Sequence, residues 1–231
     1  FLWLARQKTA GLDRLDLLDR LLPVYAQILA RLKAQGVEWV QIDEPILSLD
    51  LPCAWRAAFE RAYHHLNAAG MKLLLASYFG PLRENLLVAL KLPVAGVHVD
   101  CVRGGDELAQ VIDWLPATKV LSAGVIDGRN IWKSDLNAVF ERFEGLHLRL
   151  ADRLWLAPSC SLLHVPASLA GEDRLDAELR SWLAFADEKI AALATLKTAF
   201  NEGRQAAAGA LCDNARGLAS RHASQRVDDE A

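Results

Sequence analysis

Carboxylates, hydroxyls, a thiol and an arginine recur in this chain just past short apolar runs. The stretch VQIDEP ends an apolar run in paired acids, Asp43 and Glu44. ASYFG follows the next run with Ser77 and Tyr78, and HVD ends another in Asp100, with Cys101 behind it. GVIDGRN supplies Asp127, Arg129 and Asn130, and APSCSLLH supplies Ser159, Cys160, Ser161 and His164. Paired carboxylates at a strand tip either accept backbone N–H groups of the next turn or face a site where something is bound, and both readings stand for Asp43 and Glu44. Ser77 and the Asp127-Gly128 dipeptide read first as turn residues. Cys160 and His164 have the residue types of a nucleophile and its base, but no oxyanion-hole signal accompanies them. Cys53 and Cys101 read as small core residues, and His64, His65 and His147 as surface histidines on helices.

The elements that must position these groups alternate. Near-continuous apolar runs at residues 1–4, 38–42, 72–76, 96–99, 119–122 and 154–157 predict strands buried on both faces. Amphipathic stretches lie between them. Leu15, Leu18, Leu22, Tyr25, Leu29 and Leu32 predict a helix over 13–35 that stops at Gly36. Further helices are predicted at 52–70, 82–90, 106–114 and 135–149. A long one over 174–200 carries Leu175, Leu179, Trp182, Ala186, Ile190 and Leu193 on one face. Six strand-helix units predict an α/β fold with a parallel sheet. A doubly wound sheet and a TIM (β/α)8 barrel both fit; no G-x-G-x-x-G follows any strand, which disfavours a dinucleotide-binding sheet. Such a barrel needs eight units and would gather the strand-end groups at one mouth. The barrel is therefore expected to be incomplete here, with about six βα units and its first strands upstream of Phe1. Residues 1–200 are expected to form this partial barrel. Residues 201–231, Ala-rich and polar, are expected to form a helical tail and interdomain linker, the closing DDEA leading toward another domain.

Composition narrows the classes. The chain has 231 residues, 52% of them hydrophobic, enough for a sizeable core. A net charge of −3 without a basic stripe argues against nucleic acid. No apolar run reaches membrane-spanning length, and no signal-peptide pattern opens the chain. Four cysteines without any C-x-x-C fit a reducing cytoplasm better than a disulfide framework or zinc ribbon.

Taken together and in order, EWVQIDEP, HVDCVRG, LSAGVIDGRNIW, LWLAPSCSLLHVP and RLDAELRSWLAFA resemble the cobalamin-independent methionine synthase family, over residues 1 to about 227. The resemblance implies two TIM barrels in one chain. A C-terminal barrel holds zinc and homocysteine and takes a methyl group from 5-methyltetrahydrofolate polyglutamate; an N-terminal barrel braces it and assists with folate. The motifs match the later part of the N-terminal barrel. The family's zinc ligands would then fall on Leu75, Ser77, Asp100 and Cys160, a degenerate set, and its catalytic histidine near Arg129. Asp43 falls where the catalytic barrel binds the amino group of homocysteine. The resemblance thus implies a methyltransferase fragment that is inactive alone, carries no catalytic residue and binds no metal. Asp43, Glu44, Ser77, Tyr78, Asp100, Arg129, Asn130 and Cys160 remain as relic or ligand-contact candidates. Its implied partners are the C-terminal barrel, homocysteine and folate, with no nucleic acid or membrane, in the cytoplasm. A stand-alone methyltransferase or decarboxylase-like barrel of the same superfamily is the alternative, and a pure interaction module a third reading.

Overall fold

The structure is a computed structural model that describes residues 1–8 and 10–227. The chain divides into two compact units, residues 1–122 and 123–231. Five strands are present: β1 Trp39–Asp43, β2 Lys72–Ala76, β3 Gly96–Asp100, β4 Val120–Ile126 and β5 Leu154–Pro158. Hydrogen bonding orders them β1-β2-β3-β4-β5 in one sheet. Each strand pairs with its successor and the order never reverses, as in a barrel-type α/β sheet and unlike a doubly wound one. The expected sixth strand, residues 1–4, is a turn instead: the N–H groups of Leu4 and Ala5 both donate to the Phe1 carbonyl. An apolar run of four residues did not distinguish strand from turn.

In the first unit, β1 and β2 are parallel with Trp39 opposite Lys72 and Asp43 opposite Ala76; β2 and β3 are parallel with Leu74 opposite Gly96. Leu73, Leu75 and Val97 are almost fully buried, as expected where helices cover a parallel sheet. α1 (Leu18–Ala34) is preceded by a short 3-10 turn capped by the Asp13 side chain. It ends as Gly36 predicts. Gly36 adopts φ +81, its N–H donates to the Lys33 carbonyl, and Val37 N–H reaches back to Leu32. That Schellman pattern needs a left-handed residue, which glycine adopts without a Cβ clash. α2 (Cys53–Asn67) buries Phe59, Tyr63 and Leu66. Cys53 at its start is exposed rather than a core residue, because it lies in a first turn whose neighbours Pro52 and Ala54 also face outward. α3 (Leu86–Lys91) and α4 (Leu108–Trp114) each follow a short 3-10 turn. Lys119, 6% exposed, places its ammonium on the Leu90 and Leu92 carbonyls at 2.6 and 2.5 Å, capping the end of α3.

In the second unit, α5 (Leu136–Leu150) starts at Asp135, whose carboxylate accepts the Ala138 N–H. The single long helix expected over 174–200 is two helices, α6 (Ala177–Trp182) and α7 (Ala186–Glu202). The chain between them is extended, and Leu183 bridges antiparallel to Trp132. Two interactions outcompete helical continuity there. Ala184 N–H donates to the Ile131 carbonyl, and Glu188 turns back to accept the Phe185 and Leu169 N–H groups. Leu169, Leu183 and Phe185 then pack into a small core with Ile131, Trp132, Leu175 and Leu179. Ile190 does not share that face and is 56% exposed. α8 (Ala208–Ala223) buries Leu211, Asn214 and Gly217. Asn214 accepts the Leu136 N–H and donates to the Ser134 carbonyl, so the tail helix completes the cap of α5. The DDEA segment lies outside the described residues. No helix among them is long and apolar enough to cross a membrane.

Candidate functional site

Strand alternation separates the paired acids that open the sequence reading. Asp43 is exposed; its Oδ1 accepts the Gln41 amide at 2.7 Å and its Oδ2 the Tyr78 hydroxyl at 3.3 Å. Glu44 turns toward α2, where its Oε1 accepts the hydroxyl of buried Tyr63 at 3.1 Å. Burial pushes the Glu44 carboxyl above its ordinary pKa; the N-terminal ammonium and the Tyr63 hydrogen bond oppose this, and the Asp43 charge adds to it. Tyr63 is driven well above its usual value, first by burial and then by Glu44. The two acids therefore have different partners and different environments.

At the ends of β2 and β3 the chain builds a backbone clamp. Asp100, 3% exposed, accepts the Phe79 N–H on Oδ2 at 3.1 Å, and the Val102 and Arg103 N–H groups on Oδ1 at 3.0 and 2.9 Å. Phe79 adopts φ +79, in the left-handed region that non-glycine residues rarely occupy, and its ring meets Tyr78 edge-on. Glu107 fixes the far end of the same loop by accepting the Leu82 and Arg83 N–H groups. Ser77 is buried and its hydroxyl has no hydrogen-bond partner. On the inner strands, His98 Nδ1 and Ser122 Oγ lie 2.9 Å apart, both buried.

In the second unit, the turn after β4 is organised by Asp127, which accepts the Arg129 N–H and the Asn130 side-chain amide, both at 2.8 Å. Buried Ser159 accepts the Gly128 N–H. A Cβ on Gly128 would lie 2.9 Å from both the carbonyl oxygen and Sγ of Cys160, so only glycine lets this turn approach the thiol so closely. Cys160 is buried and His164 is exposed on a short 3-10 turn. Sequence reasoning missed two polar side chains. Tyr63 lay hidden among the apolar positions of α2. Lys189, fully buried, donates to the Trp132 carbonyl at 3.1 Å; burial lowers its pKa, while Asp127 and Cys160 act to raise it. The sequence DEK around Lys189 reads as solvated, and nothing in it signals burial.

The donor set does not fit zinc. Leu75 offers no donor, Ser77 offers one hydroxyl, and Asp100 has both oxygens engaged by backbone N–H groups. Among the described residues no group of three or more His, Cys, Asp or Glu is placed to hold a metal ion.

Comparison with known proteins agrees with the sequential parallel sheet. Residues 1–151 match the family described as cobalamin-independent synthase, N-terminal domain. The fold is similar to a Listeria monocytogenes protein assigned as a vitamin-B12-independent methionine synthase: TM-score 0.54, 18% identity, over 80% of this chain and 54% of that one. It is also similar to a B12-independent methionine synthase of a Shewanella species, solved with selenomethionine: TM-score 0.56, 18% identity, over 88% of this chain and 58% of that one. The chain thus spans little more than half the length of either. With the family matched over 151 of 231 residues, the chain belongs to the cobalamin-independent methionine synthase family, through its N-terminal domain.

Proposed function

We propose that this chain is part of an enzyme that moves a methyl group from 5-methyltetrahydrofolate, in polyglutamate form, to the thiol of homocysteine, and that this half supports the transfer without performing it. The match of residues 1–151 to the N-terminal domain of the family carries the reading. The engaged carboxylate of Asp100 supports it: a side chain spent on three backbone N–H groups is not free to bind a metal or move a proton. Zinc chemistry belongs, on this proposal, to a C-terminal barrel of the same enzyme, and the enzyme works in the cytoplasm. Asp43, Tyr78, Arg129 and Asn130 then act on the shape of the strand-end loops: the Tyr78 hydroxyl donates to Asp43, and the Arg129 N–H and the Asn130 amide both donate to Asp127.

The test is metal content and turnover together. The chain, purified without chelator and folded by circular dichroism, is expected to contain less than about one zinc per ten chains, because tight sites need three or four donors. It is also expected to leave methyl transfer from the folate to homocysteine at the buffer rate. One tightly held zinc, or measurable transfer by the chain alone, would overturn the supporting role.

A further inference from the structure

Where α4 packs over the tips of β2 and β3, within the first unit, lies a cavity with about 10 Å³ open to a water-sized sphere. Leu82, Val99, Leu108 and Val111, all buried, form its apolar wall. Three lining residues carry polar side chains: Ser77, Asp100 and Glu107. The Ser77 N–H donates to the His98 carbonyl at 3.1 Å, which extends the parallel ladder past Ala76. Alternation then puts its side chain on the face of Leu75 and Val99, under α4. Ser77 is 1% exposed, and its hydroxyl meets no acceptor in the protein. The two carboxylates keep capacity to spare. A carboxylate accepts about four hydrogen bonds; Asp100 takes three N–H groups and Glu107 takes two.

We infer that this cavity is the site of one ordered water molecule, which accepts the Ser77 hydroxyl and donates to the Asp100 and Glu107 carboxylates. Size admits a water and nothing larger, since one water needs about 10–15 Å³ measured in this way. Polarity decides occupancy. Cavities lined by hydrocarbon alone stay dry, whereas a buried water takes roughly two to four polar partners, and the lining offers Ser77, Asp100 and Glu107. A dry cavity would leave the Ser77 hydroxyl buried and unpaired, which costs more than immobilising one water. The water also joins two clamps that share no direct bond. Asp100 holds the N–H groups of Phe79, Val102 and Arg103, and Glu107 holds those of Leu82 and Arg83. Through the water, both carboxylates are tied to the end of β2. This inference concerns the packing under α4 and does not depend on the proposed methyl transfer.

The test is a crystal structure of the chain at a resolution that shows ordered waters, with urea unfolding of Ser77→Ala beside it. One water peak is expected about 2.8 Å from Ser77 Oγ and within hydrogen-bonding distance of both carboxylates. A Ser77 hydroxyl turned onto a protein acceptor, with no peak in the cavity, overturns the proposal. So does a peak with contacts of about 2.4 Å, which marks a metal cation. If the hydroxyl is paired with water, Ser77→Ala is expected to lower the folding equilibrium constant about fivefold, the net effect of one hydrogen bond. If the cavity is dry, the same change removes an unpaired buried hydroxyl and raises that constant. An alanine variant at least as stable as the parent therefore overturns the proposal. If Ser77→Ala does not fold, the parent crystal structure decides by the presence or absence of the peak.

Discussion

Replacing Asp100 with alanine should destabilise the first unit by about 3 kcal/mol, and the figure can be built bond by bond. The carboxylate is 3% exposed and accepts three backbone N–H groups at 2.9–3.1 Å. Phe79 is half-buried, and loss of its charged acceptor costs about 2 kcal/mol. Val102 and Arg103 are exposed, so water replaces the carboxylate there and each loss costs roughly 0.5–1 kcal/mol. Against this, Phe79 is held at φ +79, and letting the loop relax returns part of the roughly 1 kcal/mol that a non-glycine residue stores there. Asparagine keeps a carbonyl oxygen for Val102 and Arg103 and sets an amide against the Phe79 N–H, so Asp100→Asn should cost about half as much, roughly 1.5 kcal/mol. Equilibrium urea unfolding followed by circular dichroism measures both. An alanine variant within about 1 kcal/mol of the parent would refute the clamp, and so would an asparagine variant as damaged as the alanine one.

The remaining predictions concern other parts of the chain. Lys119 has its pKa lowered from 10.5 to about 8 by burial. Below pH 8 the folded chain carries the full cost of that buried charge; between 8 and 10.5 the unfolded state binds more protons, so stability rises with pH. The gain from pH 7.5 to 9.5 should approach 2 kcal/mol and shrink in Lys119→Met, and a stability that falls over this range would contradict the reasoning. Tyr63 acts in the opposite sense above pH 10, because its raised pKa keeps it protonated in the fold while the unfolded chain ionises. Gly217→Ala should cost about 2–3 kcal/mol despite its helical position, because the added Cβ would lie 2.6 Å from the Ser181 carbonyl oxygen; a melting temperature raised by the substitution would show that α8 shifts freely. Asp43→Ala should change stability by no more than about 0.5 kcal/mol, since its partners are at the surface. On the proposed function, Asp43→Ala in the full enzyme should leave the homocysteine KM unchanged, and a raised KM with normal stability would make Asp43 a ligand contact.

The strands of the sheet were legible because burial on both faces leaves near-continuous apolar runs such as Leu73-Leu74-Leu75, although the similar run at residues 1–4 is a turn. Gly36 announced the end of α1 because its left-handed conformation is a local requirement. The break between α6 and α7 was not legible. Its causes, the Ile131 carbonyl and the Leu169 N–H, lie tens of residues or more than a dozen residues away in sequence, while the local 3–4 spacing is helical. At the strand ends, residue types pointed to the polar positions but not to their partners. Asp43 and Glu44 are neighbours in sequence, yet Tyr78 and Tyr63 draw them to different surroundings. Ser77 was read as a turn residue; its buried, unpartnered hydroxyl is a property of the packed loop, invisible in the sequence.

Asp100 also limits what this loop can become. A carboxylate recruited as a turn acceptor is no longer available as a side chain that a designer, or natural selection, can reassign alone. Installing histidine at Leu75 and cysteine at Ser77 would supply two new donors, but coordinating a metal with Asp100 would strip three N–H groups of their acceptor and free Phe79 from its left-handed geometry. The order of changes therefore matters: the loop must first gain another acceptor, or a glycine at Phe79, before a metal-binding change there can be neutral. Single substitutions toward a metal centre meet a loss in stability before any gain in binding, so changes at this loop are coupled rather than independent.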